Sequence, residues 1–153
     1  MKMISRFGLG LLLSSSLATA HADDVKIGMI TTLSGGGSHL GVDVRDGFML
    51  ALEQSGRDDV DVLIQDDARR PDLARSLANE FIQRDNVDIL TGIIWSNLAM
   101  AVVPSVVRQG TFYLSPNAGP SDLAGRMCHE NYFNVAYQND NLHGAMGAYM
   151  SEQ

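Results

Sequence analysis

Four short apolar runs constrain this chain more than any other feature, because each closes on small or polar residues and the first three each lead into a stretch with a helical stripe. Val25-Lys26-Ile27-Gly28-Met29-Ile30, Val60-Asp61-Val62-Leu63-Ile64, Val87 to Ile94, and Thr111-Phe112-Tyr113-Leu114 read as strands. Between them apolar residues recur at helical spacing. A helix from about Val42 to Ser55 carries Val44, Phe48, Ala51 and Leu52 on one face, with Gly47 beside it for close packing on the sheet. Pro71 opens a second helix, striped by Leu73, Ala74, Leu77, Ala78, Phe81 and Ile82. A third runs from about Leu98 to Arg108, and Pro104 is expected to kink it or split off its last turn. Tyr132 to Val135 adds a fifth strand, and a last helix starts near Asn141. Strands and helices alternating over short loops predict an α/β fold: a doubly wound parallel sheet with right-handed crossovers and helices on both faces.

The first residues stand outside this pattern. Lys2 and Arg6 precede the apolar Phe7 to Leu13, then Ser14-Ser15-Ser16, and Ala20-His21-Ala22 fits a small-x-small cleavage site. Residues 1–22 therefore read as a secretory signal peptide cut after Ala22, too short to span a membrane, which puts the mature chain in the periplasm. Losing Lys2 and Arg6 leaves 9 Lys+Arg of the original 11 against 18 Asp+Glu, so the net charge goes from −7 to −9. That acidity argues against nucleic acid and against anionic lipid as partners. Cys128 is the single cysteine, which in an oxidising compartment suggests a missing partner or a free thiol. Met150-Ser151-Glu152-Gln153 sits in a helical pattern with no C-cap signal. Together these lead us to expect a longer protein, in which Cys128 pairs with a cysteine beyond Gln153.

The polar closures of the strands are where chemistry belongs, since ligands of open α/β sheets bind beyond the carboxyl ends of the strands. Trp95-Ser96-Asn97 closes the third strand and Asn117-Ala118-Gly119 follows the fourth. Successive backbone N–H groups in the second turn, with the Ser96 hydroxyl and the Asn97 amide in the first, could form one anion-binding rim. The alternative is that both turns satisfy themselves, with Ser96 or Asn97 as an ordinary helix cap. Ser34 to Gly41 is glycine-rich but lacks both G-x-G-x-x-G and G-x-x-x-x-G-K-[ST], so it reads as a flexible loop rather than a phosphate cradle. His39 has no accompanying nucleophile motif. Asp66 and Asp67 make a poor metal or acid/base pair, because neighbours on a strand point to opposite faces; for one of them a bond to nearby backbone or to a helix N-terminus is the expected role. His21, His129 and His143 show no ligand spacing with one another or with Cys128. We therefore expect no catalytic residue, no metal and no cofactor.

Several of these residues, in order and spacing, resemble the leucine/isoleucine/valine-binding-protein family, the type I periplasmic solute-binding proteins of ABC importers. They are Val25-Lys26-Ile27-Gly28, Leu33-Ser34-Gly35, Asp66-Asp67, Thr91-Gly92 and Ser115-Pro116-Asn117-Ala118. The resemblance covers Asp23 to Gln153. It implies two α/β lobes that close on a ligand, with residues 23–135 as the N-terminal lobe and 136–153 as the hinge exit and the start of a truncated second lobe. It also implies that the ligand carboxylate sits on Trp95-Ser96-Asn97 and Asn117-Ala118-Gly119, with His39 and Leu40 over the ligand. The chain departs from the amino-acid binders in its bulky Trp95 and in Ala118-Gly119, where a threonine hydroxyl is usual. Trp-Ser-Asn, Asn-Ala-Gly, a cysteine ahead of Tyr132-Phe133, and Gln138-Asn139-Asp140 resemble members associated with aromatic carboxylates.

The function these readings imply is a periplasmic solute-binding protein. It would deliver an amino acid, an amide or an aromatic carboxylate to a membrane permease, without itself inserting in the membrane. An amino acid or amide ranks first and an aromatic acid next. The alternatives are the sensory domain of a receptor and a secreted α/β enzyme with its catalytic residues beyond Gln153.

Overall fold

The structure is a computed structural model that describes residues 24–153; the expected signal peptide and its cleavage site lie outside the described residues. The elements in chain order are β1 (Val25–Thr31), α1 (Ser38–Ser55), β2 (Val60–Asp66), α2 (Pro71–Glu80) and β3 (Ile89–Thr91). There follow α3 (Ser96–Arg108), β4 (Phe112–Ser115), the single-turn α4 (Ser121–Ala124), β5 (Tyr132–Asn134) and α5 (Asn139–Ser151). The five strands form one parallel sheet in the order β2-β1-β3-β4-β5. The chain thus winds outward from β1 in one direction and, after β2, in the other. Right-handed crossovers then put α1 on one face of the sheet and α2, α3 and α4 on the other.

Register explains which side chains meet which helix. Gly28, Leu90, Tyr113 and Tyr132 lie side by side across β1, β3, β4 and β5 and point at α2 and α3. There Leu90 and Tyr113 join Ala74, Ala78, Phe81, Leu98, Val102, Val103 and Val106 in one buried cluster, with Tyr132 packed against it. The stripe foreseen for α2 is the one it buries. Its last turn widens into a π-helical turn at Phe81–Asp85, which ends on Asn86 in the left-handed region at φ 52°.

Five local expectations need correction. The third strand does not run from Val87 to Ile94. Gly92, at φ 103°, turns the chain off the ladder after Thr91, where an added Cβ would lie 2.8 Å from the Ile30 carbonyl oxygen. Ile93 and Ile94 stay buried beyond the strand, so apolar character there reports burial and not pairing. Helix α1 begins at Ser38 rather than near Val42, because Gly37 takes the left-handed conformation at its N-cap and starts the helix a turn early. Gly47 faces open space; the close approach to the sheet is made by Gly41, beside the Thr32 carbonyl. Finally, α3 is not split by Pro104 and runs through to Arg108, and α5 starts at Asn139, just ahead of the expected Asn141.

Candidate ligand-binding site

The strand order reverses between β1 and β3, and the crevice beyond their carboxyl ends is where an open sheet of this kind has room for a ligand. Trp95 stands in that crevice. Its indole N–H donates to Thr32 Oγ1 at 3.0 Å, across the gap from the end of β1. The Thr32 hydroxyl donates in turn to Asp67 Oδ1 at 2.7 Å, beyond the end of β2. The Arg69 guanidinium lies 3.9 Å from the centre of the indole ring. Asp67 is fully buried and its other oxygen, Oδ2, has no partner among the described residues.

The neighbouring strand ends carry the predicted rim. β3 and β4 are adjacent, with Thr91 opposite Leu114, so the two turns that follow lie side by side. The Asn117 side-chain amide donates to the Ile94 carbonyl at 2.9 Å and ties one turn to the other. Ser96 opens α3, and its hydroxyl oxygen accepts from Asn139 Nδ2 at 3.2 Å, which leaves the Ser96 hydrogen free to donate elsewhere. Ala118 and Gly119 are buried, yet no acceptor among the described residues takes their amide hydrogens. Behind them, Ser115 Oγ donates to the Ala118 carbonyl, and the Asn139 amide donates to the Gly119 carbonyl at 2.9 Å. A Cβ on Gly119 would collide with the carbonyl of Tyr137. The two turns thus lie together beyond β3 and β4, and the Ala118 and Gly119 amides have no acceptor among the described residues.

The structure distributes the other candidates unevenly. Asn97 is exposed on the first turn of α3. His39 and Leu40 are exposed on the first turn of α1 rather than in a flexible loop, and no hydrogen bond joins their side chains to the rim among the described residues. They follow Gly37, whose added Cβ would lie 2.6 Å from Trp95 Cζ2, so this turn of α1 begins against the indole.

The paired aspartates have opposite characters. Burial pushes the Asp66 carboxyl up, but hydrogen bonds from Ser34 and from the amides of Leu33 and Ala68 outweigh it and hold the group below the usual carboxylate range. At Asp67 burial wins over the bonds from Thr32 and Arg69, and the carboxyl is pushed up. Both accept from nearby backbone amides, where only one of them was expected to. Among the described residues no cluster of histidine, cysteine and carboxylate side chains could hold a metal ion. Thr32, Arg69 and Asn139 are site residues that the sequence reading left without a role. Asn139 alone had a signal, in the Gln138-Asn139-Asp140 run.

The profile of the periplasmic binding protein family matches residues 24–153. The chain belongs to this family. Periplasmic binding proteins also account for the solved structures it is similar to. One is an ABC transporter substrate-binding protein from Sphaerobacter thermophilus, with 32% identity, a TM-score of 0.72, and 75% of this chain matched to 33% of that one. Another is a solute-binding protein of an ABC transporter from R. palustris in complex with benzoate, with 28% identity, a TM-score of 0.72 and the same coverages of 75% and 33%. A leucine-binding protein from Thermotoga maritima, at 20% identity and a TM-score of 0.76 over 82% of this chain and 36% of that one, shows the same fold. This chain therefore spans about a third of the length of the structures it matches. No curated protein matches it. These relatives are binding proteins of transporters, not enzymes, and no helix among the described residues is long and apolar enough to cross a membrane.

Proposed function

We propose that this chain is the first lobe of a periplasmic solute-binding protein that hands a small carboxylate to an ABC importer. The Ser96 hydroxyl and the Ala118 and Gly119 amides take the carboxylate oxygens. One observation carries this reading: two turns locked together by Asn117 present buried amides without acceptors beside a hydroxyl that Asn139 holds in place. Donors without acceptors in a partly desolvated site suit an anion. Residues 136–153 lead to the second lobe, whose closure over the ligand selects the bound state. Asn97, His39 and Leu40 border the ligand from the first turns of α3 and α1, and Trp95 forms the wall between them. Export follows cleavage after Ala22, so N-terminal sequencing of the mature protein should begin at Asp23.

An aromatic carboxylate is the preferred ligand and a branched-chain amino acid the second. Similar structures in complex with benzoate, 3,4-dihydroxy benzoic acid and 4-hydroxybenzoate share 28%, 24% and 22% identity, beside 24%, 21% and 20% for those named for branched-chain amino acids or leucine. Of the two aspartates at the end of β2, Asp67 is buried and Asp66 is engaged by backbone amides, which disfavours either as the partner of an ammonium.

The test is calorimetric titration of the mature full-length protein with benzoates and with branched-chain amino acids. A hydrogen bond to a charged group contributes about 1.5–3 kcal/mol, and about 1.4 kcal/mol is tenfold in affinity. Ser96→Ala should therefore weaken binding by about tenfold to a hundredfold. If Ser96→Ala binds the ligand as tightly as wild type, the carboxylate assignment is wrong.

A further inference from the structure

We infer that Arg69 is a positioning residue for the ligand site: it clamps the Trp95 indole into the crevice between β1 and β3 and so fixes the turn that presents Ser96. The inference rests on the carboxylate reading above, because the turn being fixed is the one assigned to the ligand.

The side chain of Trp95 is held from three directions. Its N–H is used by Thr32 at 3.0 Å, the Arg69 guanidinium covers the ring at 3.9 Å, and Gly37 leaves only the space of a hydrogen beside Cζ2. The first two holds meet at one atom. Asp67 Oδ1 accepts both the Thr32 hydroxyl at 2.7 Å and the Arg69 amide at 2.8 Å. A single buried carboxylate oxygen therefore sets where the indole N–H finds its acceptor and where the guanidinium leaves the backbone.

The backbone around Arg69 is shaped for the same purpose. Ala68 and Arg69 both adopt left-handed conformations, at φ 47° and 58°, which residues with a Cβ seldom do, and two in succession turn the chain sharply. That turn carries Arg69 back over the end of β3 instead of out along α2. Its cation faces the ring. Arg45, Arg57, Arg70, Arg84 and Arg126 each pair with a carboxylate, whereas Arg69, like Arg75 and Arg108, forms no ion pair among the described residues; its guanidinium lies over the indole and donates to the Gly36 carbonyl at 3.4 Å. Arginine over tryptophan is a favourable cation–π geometry, and a planar guanidinium stacks where an ammonium cannot.

Two consequences follow for the site. With its N–H spent and one face covered, Trp95 is a fixed wall and does not swing over the ligand. The crevice at the strand reversal is filled by the indole, so the ligand is displaced toward Ser96 and the Asn117-Ala118-Gly119 turn. Loss of the clamp leaves the donors in place but lowers the fraction of molecules that hold them correctly, and apparent affinity falls by that fraction.

The experiment compares Arg69→Ala, Arg69→Lys and wild type in the mature full-length protein, with Trp95→Phe to identify the contribution of this tryptophan. Near-ultraviolet circular dichroism of the ligand-free protein reads the clamp, and calorimetric titration with benzoate and with leucine reads the site. Arg69→Ala should lose most of the Trp95 band, keep its far-ultraviolet spectrum, and bind about threefold to tenfold more weakly. Arg69→Lys should recover only part of the band and of the affinity. A Trp95 band unchanged in Arg69→Ala overturns the clamp. An unchanged affinity beside a lost band overturns the positioning role. A wild-type protein that binds neither probe removes the carboxylate reading and the positioning role with it, and the band comparison still decides the clamp by itself.

Discussion

The two faces of the sheet are built to different standards. On the α2/α3 side, Leu90, Tyr113 and Val103 are sealed to 1% exposure or less, within one continuous cluster. On the α1 side, Met29 is covered but Phe112 and Phe133 remain 47% and 52% exposed, paired with each other at 6.3 Å between ring centres. The closed face carries α3, and α3 carries Ser96; the rim is therefore only as rigid as that core. The open face adds little to the rim. Burial on one side of a sheet is enough to fix the register of every strand, because a slip of one residue would move Leu90 and Tyr113 out of the core.

Mutations that treat the faces alike would erase this contrast. Leu90→Ala should show the largest effect, about 2–5 kcal/mol in urea unfolding, because it opens a cavity in packed surroundings. Gly92→Ala should come next, at about 1–3 kcal/mol, since it forces a side chain into a left-handed backbone beside the Ile30 carbonyl. Phe133→Ala, although it removes a larger side chain, should cost less than about 1 kcal/mol because half the ring is already in water. A Phe133→Ala loss equal to that of Leu90→Ala would show that the open face holds the lobe after all.

The finest comparison is between adjacent aspartates at the end of β2. Asp67, raised by burial, keeps its proton in the folded state after the unfolded chain has released it. Its contribution to stability is complete below the ordinary carboxylate pKa and is lost as pH climbs through the folded value. Asp66, lowered by its hydrogen bonds, contributes stability that is present above the ordinary value and lost as pH falls through the folded one. Thermal melts from pH 3 to 7 should therefore change in opposite senses for Asp67→Asn and Asp66→Asn, the first flattening a decline with rising pH and the second flattening a rise. Matching profiles would mean that the two carboxyls share one environment.

The strand alternation, the parallel sheet and the side-by-side turns after β3 and β4 were legible in the sequence because each follows from local apolar period and chain order. The link from Asp67 through Thr32 to Trp95 was not. Its members lie 35 and 63 residues apart and meet only because the sheet order brings β2, β1 and β3 together. Trp95 read as a bulky member of the carboxylate turn, yet Arg69 covers one of its faces, and nothing in the Ala68-Arg69-Arg70 run announces two left-handed residues. The early start of α1 escaped notice for a related reason: a glycine-rich stretch reads as flexible, although Gly37 here serves as a fixed left-handed cap.

Asn139 binds both rim turns at once, its amide on the Gly119 carbonyl and its side chain on Ser96, while the Tyr137 carbonyl presses on Gly119 from below. In the language of mechanics, the start of α5 is welded to the seat rather than hinged beside it. A rotation of that helix against the sheet must either break those two bonds or drag both turns along. Under the proposed two-lobe reading, an occupant that stiffens the seat would stiffen the exit from the lobe in the same act, with no relay between them.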